Sequence, residues 1–291
     1  MKELKPISKP IIVSDRALIE ELLTVPLEAA GKVEFRAGIS SRSRVLMDYE
    51  LAGMQKERTV ECDFYLEPGS CVDVFHVLEG GEIAHGSLSV KIRYHLKKHA
   101  SLNVWTYVGG GDFSCFEQEV LFREEHGFAS LRGLTIVGGN TQVYHKVKAD
   151  HAVGHCISRQ FFKSVVAGQS KSGFESLVFV AKEAVKSDSK QLNKNLILSR
   201  TAQAYSRPEL RIYTDDVSCA HGSATGELSM DELFYLRSRG IAQNEARFMM
   251  MAGFAAEAIE DVSSLPLKLR LEELVRNKIE RLVQEPSLLS R

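Results

Sequence analysis

The sequence predicts a mainly β protein, a parallel β-helix spanning 33–226, with a helical subdomain over 227–291 and an N-terminal segment 1–32 carrying one short helix. Three observations lead there. From Val33 to Asp216 the chain consists of short runs rich in Val, Ile, Phe, Tyr and Thr, broken by Gly, Ser, Asp, His and Lys, with no helical period between them. Segments of that stretch resemble one another at a near-constant interval. After Gly226 the pattern switches to helical spacing.

The repeats are weak but ordered. KKHASLNVWTYVGG from Lys97, EEHGFASLRGLTIVGG from Glu124 and ADHAVGHCISRQFF from Ala149 align on His99, His126 and His151, at intervals of 27 and 25 residues by subtraction. KSGFESLVFVAKEAV from Lys171 continues the series without the histidine, and the stretch from Asn195 extends it. Short strands recurring at such an interval without crossover helices suit coils of two or three strands stacked on one another. A sandwich would call for hairpin signals such as Asn-Gly or Asp-Gly, and the sequence contains neither. The three histidines are then expected at the corners of successive coils.

At the N-terminus, Ser14 can cap a helix over 14–23, with Leu18, Ile19, Leu22 and Leu23 on one face and Pro26 beyond its end. In the tail, Ser229-Met-Asp-Glu232 is a capping box, Leu233, Phe234 and Leu236 follow, and Gly240 supplies a stop. A second helix is expected from about Asn244 to Val262, with Met249, Met250, Gly253, Phe254 and Ile259 on its apolar side. The third, after Pro266, carries an apolar stripe through Leu267, Leu271, Leu274, Val275, Ile279, Leu282 and Val283. Such a subdomain can cover the open last coil of a solenoid or present a docking platform.

Composition narrows the function. With 37 basic and 38 acidic residues the chain has no net field to draw nucleic acid or an anionic membrane, so neither is an expected partner. Ile11–Val13 is too short an apolar run for a leader or a span, and a cytoplasmic location is expected. Cys62, Cys71, Cys115, Cys156 and Cys219 form no C-x-x-C pair, which fits reduced thiols better than a disulfide framework or a structural zinc site. No P-loop, G-x-S-x-G or H-E-x-x-H occurs, and GGGDF at Gly109 does not open a helix. The chain is therefore not expected to be an enzyme. The alternative of a β-helix carbohydrate-active enzyme would rest on Asp215 and Asp216 as paired acids.

The segment PELRIYTDDVSCAHGSATG, from Pro208 to Gly226, carries the chemistry. If a strand runs through it, Cys219 and His221 emerge on one face, and thiolate with imidazole suits iron–sulfur or zinc ligation. Two ligands do not close a site, so other groups would have to come from a partner or a small molecule. This segment, followed by LSMDELFYLRSRGI and an alanine- and methionine-rich helix, and preceded by QLNKNLILS and Arg207-Pro208, resembles the C-terminal signature of the SufB/SufD family. The likeness is detailed over about 70 positions, Gln191 to Glu260, and looser upstream. Glycine at 222, where SufB has glutamate, and no cysteine near Asn193 to Arg200 place the chain nearer SufD.

The resemblance implies a right-handed β-helix that acts as a scaffold subunit of the SUF iron–sulfur cluster assembly complex. It implies that the C-terminal helices bind the ATPase SufC, through Leu233, Phe234, Tyr235, Arg237, Arg239, Met250 and Phe254. His221 would contribute to cluster assembly at a subunit interface, with Cys219 the matching cysteine, the pair also being the candidate metal ligands. The partner across the interface would be a SufB-like subunit or a second copy forming a dimer. No cofactor is expected to bind stably, and an iron–sulfur cluster would be carried transiently in the complex.

Overall fold

A computed structural model describes residues 11–13, 23–26, 32–50, 57–79 and 86–285. Within them all strands pair in parallel. One sheet is built from β1 (Ile11–Val13), β3 (Lys32–Ala37), β5 (Arg58–Leu66), β7 (Ser87–Leu96), β9 (Phe113–Phe122), β11 (Gln142–His151), β13 (Lys171–Val180) and β15 (Gln203–Ile212), in that order. The other holds β2 (Leu23–Pro26), β4 (Arg42–Glu50), β6 (Cys71–Glu79), β8 (Ser101–Val108), β10 (Phe128–Val137), β12 (Ile157–Val166), β14 (Asp188–Ile197) and β16 (Ser218–Glu227). Each coil thus contributes one strand to each sheet, and the chain is a two-sheeted parallel β-solenoid.

The expected helix over 14–23 lies outside the described residues except for Leu23, which opens β2 and pairs with Val45 of β4. Two other expectations need correction. The third corner histidine is His155 and not His151: the left-handed corner conformation falls on His99, His126 and His155, with φ of 57°, 64° and 58°. His151 ends β11 with its side chain buried, bonded through Nε2 to Ser158 Oγ at 2.9 Å. The repeat from Lys171 is half a coil out of phase, because it forms β13 on the odd sheet whereas the first three segments feed even strands. The in-phase copy starts at Lys186, whose φ is 61°. Both sheets place apolar residues inward at every second position, so an alignment on short apolar runs can slip by half a coil.

Strands of the odd sheet alternate inward apolar with outward polar residues, as in β7, where Leu88, Val90, Ile92, Tyr94 and Leu96 are buried between more exposed neighbours. Even strands read differently: β8 is buried continuously from Val104 to Val108, and β6 from Val72 to Leu78. Their outer face is covered as well as their inner one. The cover is the helical tail, made of α1 (Met230–Ser238), α2 (Gln243–Ile259) and α3 (Leu265–Gln284). The stripe of α3 packs with Phe75, Trp105, Tyr107, Leu134, Ile136 and Val165 of the even sheet. So α2 and α3 lie back along a sheet face, and among the described residues no strand or helix stacks on the last coil.

Polar clasps fix that docking. Arg270 bonds Asp48 at 2.6 Å, Ser263 bonds Asp73 at 3.1 Å, and Arg132 pairs with Asp261. Lys163, 2% exposed, reaches Glu257 and donates to the Phe254 carbonyl at 2.6 Å, with its ammonium 4.0 Å from the Phe254 ring centroid. Burial lowers the Lys163 pKa and its ion pair with Glu257 opposes the shift. Breaking a buried pair from one side leaves an uncompensated charge, whereas replacing the buried charge by an apolar chain removes it. Glu257→Ala should therefore cost about 2 kcal/mol, less than a fully buried pair because Glu257 is 46% exposed, while Lys163→Met should be near neutral. Urea unfolding of both variants checks this sign difference; equal losses would count against it.

Inside the solenoid, register partners stack. Phe35, Phe64 and Tyr94 occupy matching positions of β3, β5 and β7, with ring centroids 5.3 and 5.2 Å apart. Toward the C-terminal coils the interior turns polar. Gln191 donates to Ser176 at 2.6 Å, Ser176 to Gln160, and Asn195 to Asn193 at 2.8 Å.

Candidate functional site at the open end of the solenoid

In β14 the inward residues are Ser189, Gln191, Asn193 and Asn195, all buried. Their register partners in β16 are Cys219, His221, Ser223 and Thr225. These four therefore occupy the inward row of a coil that has no described strand above it, and the row is uncovered for that reason. Cys219 is half-buried and packs, as Leu210 and Val217 do, against the cluster of Ala149, Val178, Val180 and Ala184, and His221 is exposed. Opposite them β15 contributes Ala204, Ser206, Pro208, Leu210 and Ile212 at inward register positions. A period-two pattern from Cys219 to Thr225 marks this row in the sequence, but only the register shows that it faces an open lumen.

Burial raises the Cys219 thiol above its ordinary range, with the Ser189 backbone hydrogen bond opposing the shift. At neutral pH the group is a thiol, so ligation would require a metal or a cationic neighbour to draw off the proton. Among the described residues no three His, Cys, Asp or Glu side chains are arranged to hold a metal ion. Any ion at Cys219 and His221 would need ligands from another molecule. The other four cysteines are free, and three of them, Cys62, Cys115 and Cys156, are buried. Burial pushes Cys62 up to about 12 and Cys156 up to about 11, as suits inert core thiols.

The second candidate surface lies on the tail. Ser229 caps α1 by accepting from the Glu232 amide at 3.2 Å, and Gly240 ends the turn with φ of 85°. Leu233 is buried and anchors α1, so Phe234 and Tyr235 face outward at 73% and 57% exposure. Arg239 sits 5.2 Å from the Tyr235 ring, and Arg237 is exposed beside it. Met249 is exposed, Met250 half-buried and Met251 fully buried, so α2 keeps one edge free. Phe254 covers Lys163. Leu233 and Phe254 thus hold the helices in place, and the free chemistry is that of Phe234, Tyr235, Arg237 and Arg239.

Asp215 and Asp216 sit in the corner between β15 and β16, where Asp216 pairs with Lys186 at 3.0 Å. They are not two acids facing each other across a cleft.

The chain is thus a two-sheeted parallel β-solenoid with a helical flank, whose last described coil carries a thiol and an imidazole in its inward row. The family model "SUF system FeS cluster assembly, SufBD core domain" matches residues 31–254, and the chain belongs to the SufB/SufD family of iron–sulfur cluster assembly proteins. It is 40% identical to the iron-sulfur cluster assembly protein SufD of Escherichia coli over 119 residues, 41% of this chain and 28% of that protein. A SufBD family protein of Synechocystis is 32% identical over 168 residues, 57% of this chain and 37% of the relative. One from Mycobacterium leprae is 31% identical over 192 residues, 63% of this chain and 49% of the relative. The chain spans from about a quarter to a half of the length of these relatives. No described helix is long and apolar enough to cross a membrane.

Proposed function

We propose that this chain is a non-catalytic, cytoplasmic scaffold subunit of a SUF complex that docks the SufC ATPase on α1 and the free edge of α2. It pairs through its last coil with a SufB-like subunit or a second copy of itself. The observation that carries the reading is the uncovered inward row of β16, where Cys219 and His221 stand over a polar lumen with too few neighbours to close a site. A partner coil stacked there would supply the missing ligands and satisfy the unpaired edge of β15 and β16. A nascent cluster is then held at the junction as cargo, with His221 as ligand or proton donor and Cys219 as thiolate. SufC reaches the same unit through the tail, which is clasped to the solenoid by Lys163, Arg132 and Arg270, so a force on α1 and α2 is passed to the coils.

Two sets of variants test the two surfaces separately. Phe234→Ala with Tyr235→Ala should weaken SufC binding at least tenfold by calorimetry, since exposed aromatics flanked by arginines make typical anchor points. His221→Ala should leave folding and complex assembly intact and lower cluster yield several-fold after anaerobic reconstitution. Unchanged SufC affinity would move docking off α1, and unchanged cluster yield in an intact complex would remove His221 from the site.

A further inference from the structure

Outside the site just described, the solenoid carries a second concentration of ligating groups. From β3–β4 to β13–β14, the corner joining an odd strand to the following even strand has one residue in the left-handed conformation. In successive coils it is Ser40, Gly69, His99, His126, His155 and Lys186, with φ between 54° and 71°. At five of these six corners the amide of this residue donates a hydrogen bond to a carbonyl of the next coil, for example His155 to Val185 at 2.9 Å and Lys186 to Asp216 at 2.6 Å. The backbone of this position is therefore fixed by the fold, while its side chain projects to solvent. Glycine fits such a position best and other residues hold it under strain, so the side chain is where a specific requirement would show.

Three consecutive coils place an imidazole there. His99 and His126 stack with ring centroids 4.9 Å apart and an interplanar angle of 9°, and His126 and His155 follow at 5.0 Å and 36°. All three are exposed. The Glu125 carboxylate stands 4.0 Å from His126 Nε2 and adds negative charge at the middle of the column.

We propose that this column is a surface site for a divalent first-row transition-metal ion of the zinc or nickel type, chelated by two adjacent imidazoles. Two nitrogens sharing such an ion at about 2.0–2.1 Å stand roughly 3–3.5 Å apart, so the rings must swing toward each other from their stacked spacing. Exposed side chains make that rotation without moving the backbone, which the inter-coil ladder holds at one coil's rise. The site is a pair and not a cage, in keeping with the absence of any ready three-ligand cluster among the described residues; water fills the other positions. Imidazole suits these ions, and affinity should rise along the Irving–Williams order to copper. The pairs His99–His126 and His126–His155 share their middle member, so one ion binds per chain and His126 belongs to both alternatives. The inference does not depend on the reading of the last coil.

Calorimetric titration of the tag-free chain with Zn2+ tests it, in a Cys219→Ser/His221→Ala background that removes the thiol and imidazole of the last coil. Asparagine accepts the left-handed conformation, so His→Asn variants remove the ligand and keep the corner. Saturable binding of one ion per chain is expected. It should weaken more than tenfold in His126→Asn and only about twofold in His99→Asn or His155→Asn, which each leave one of two pairs intact. An unchanged thermal midpoint in every variant confirms that the corner is kept. Absence of saturable binding in the millimolar range, or a loss in His99→Asn as large as in His126→Asn, would overturn the proposal.

Discussion

Lowering the pH from 7 to 5 is expected to remove on the order of 5 kcal/mol of stability from the solenoid, through three interior histidines that fold neutral. His76, His145 and His151 are buried, with burial as the leading cause of lowered pKa values of about 3, about 4 and about 4. His76 is held between Tyr49 and Tyr94, at 2.8 and 2.9 Å, and His145 bonds Thr135 at 2.9 Å. These contacts serve neutral rings. In the unfolded chain each would titrate near 6.5, so below that value the unfolded state binds more protons and stability falls as pH falls, down to the folded values of about 4 for His145 and His151 and about 3 for His76. At pH 5 each ring contributes about 2 kcal/mol of this loss, a large total beside the 5–15 kcal/mol that usually holds a domain. Thermal unfolding followed by circular dichroism should show the midpoint dropping steeply between pH 6.5 and 5. A flat profile there would mean that the rings are not buried neutral.

The sequence was most legible where one period dominates. The stripe on α3 is buried at all seven expected positions, from Leu267 to Val283, because an amphipathic helix has one way to face a sheet. The parallel solenoid was readable from strand-rich repeats without hairpin signals. Its phase was not: His151 and His155 lie four residues apart, either could align with His126, and only the φ > 0 corner and the inter-coil bonds select His155. Cys219 and His221 stood out by residue type and by likeness to a family. Their position over an open lumen depends on register with Ser189 and Gln191, partners 30 residues away, which local pattern does not carry. The course of the tail was hidden for a similar reason. Continuous apolar runs such as Val72 to Leu78 say that both faces are covered, without saying by what.

That double coverage sets the last expectation: a chain ending at Gly226 should aggregate and not simply lose a binding site. Removing the tail uncovers Phe75, Trp105, Tyr107, Leu134, Ile136 and Val165 as a contiguous apolar face on the even sheet, and strips Lys163 of both Glu257 and the Phe254 carbonyl. The lost partners include Leu271, Leu274, Ile279, Leu282 and Val283, each buried. At about 1.5–3 kcal/mol per large apolar side chain, the docked helices contribute on the order of 10 kcal/mol to the face they cover. An apolar patch of that kind on a flat parallel sheet drives association. Light scattering and dye binding of the truncated chain should rise sharply relative to the full chain, and a monodisperse product would show that the face is polar enough to stand alone. Exposure of that face also limits how the proposed docking on the tail can be tested. Loss of SufC binding after truncation would report collapse of the even sheet, whereas Phe234 and Tyr235 can be shortened with the clasp of α2 and α3 intact, and only those variants separate the proposed docking surface from the fold that carries it.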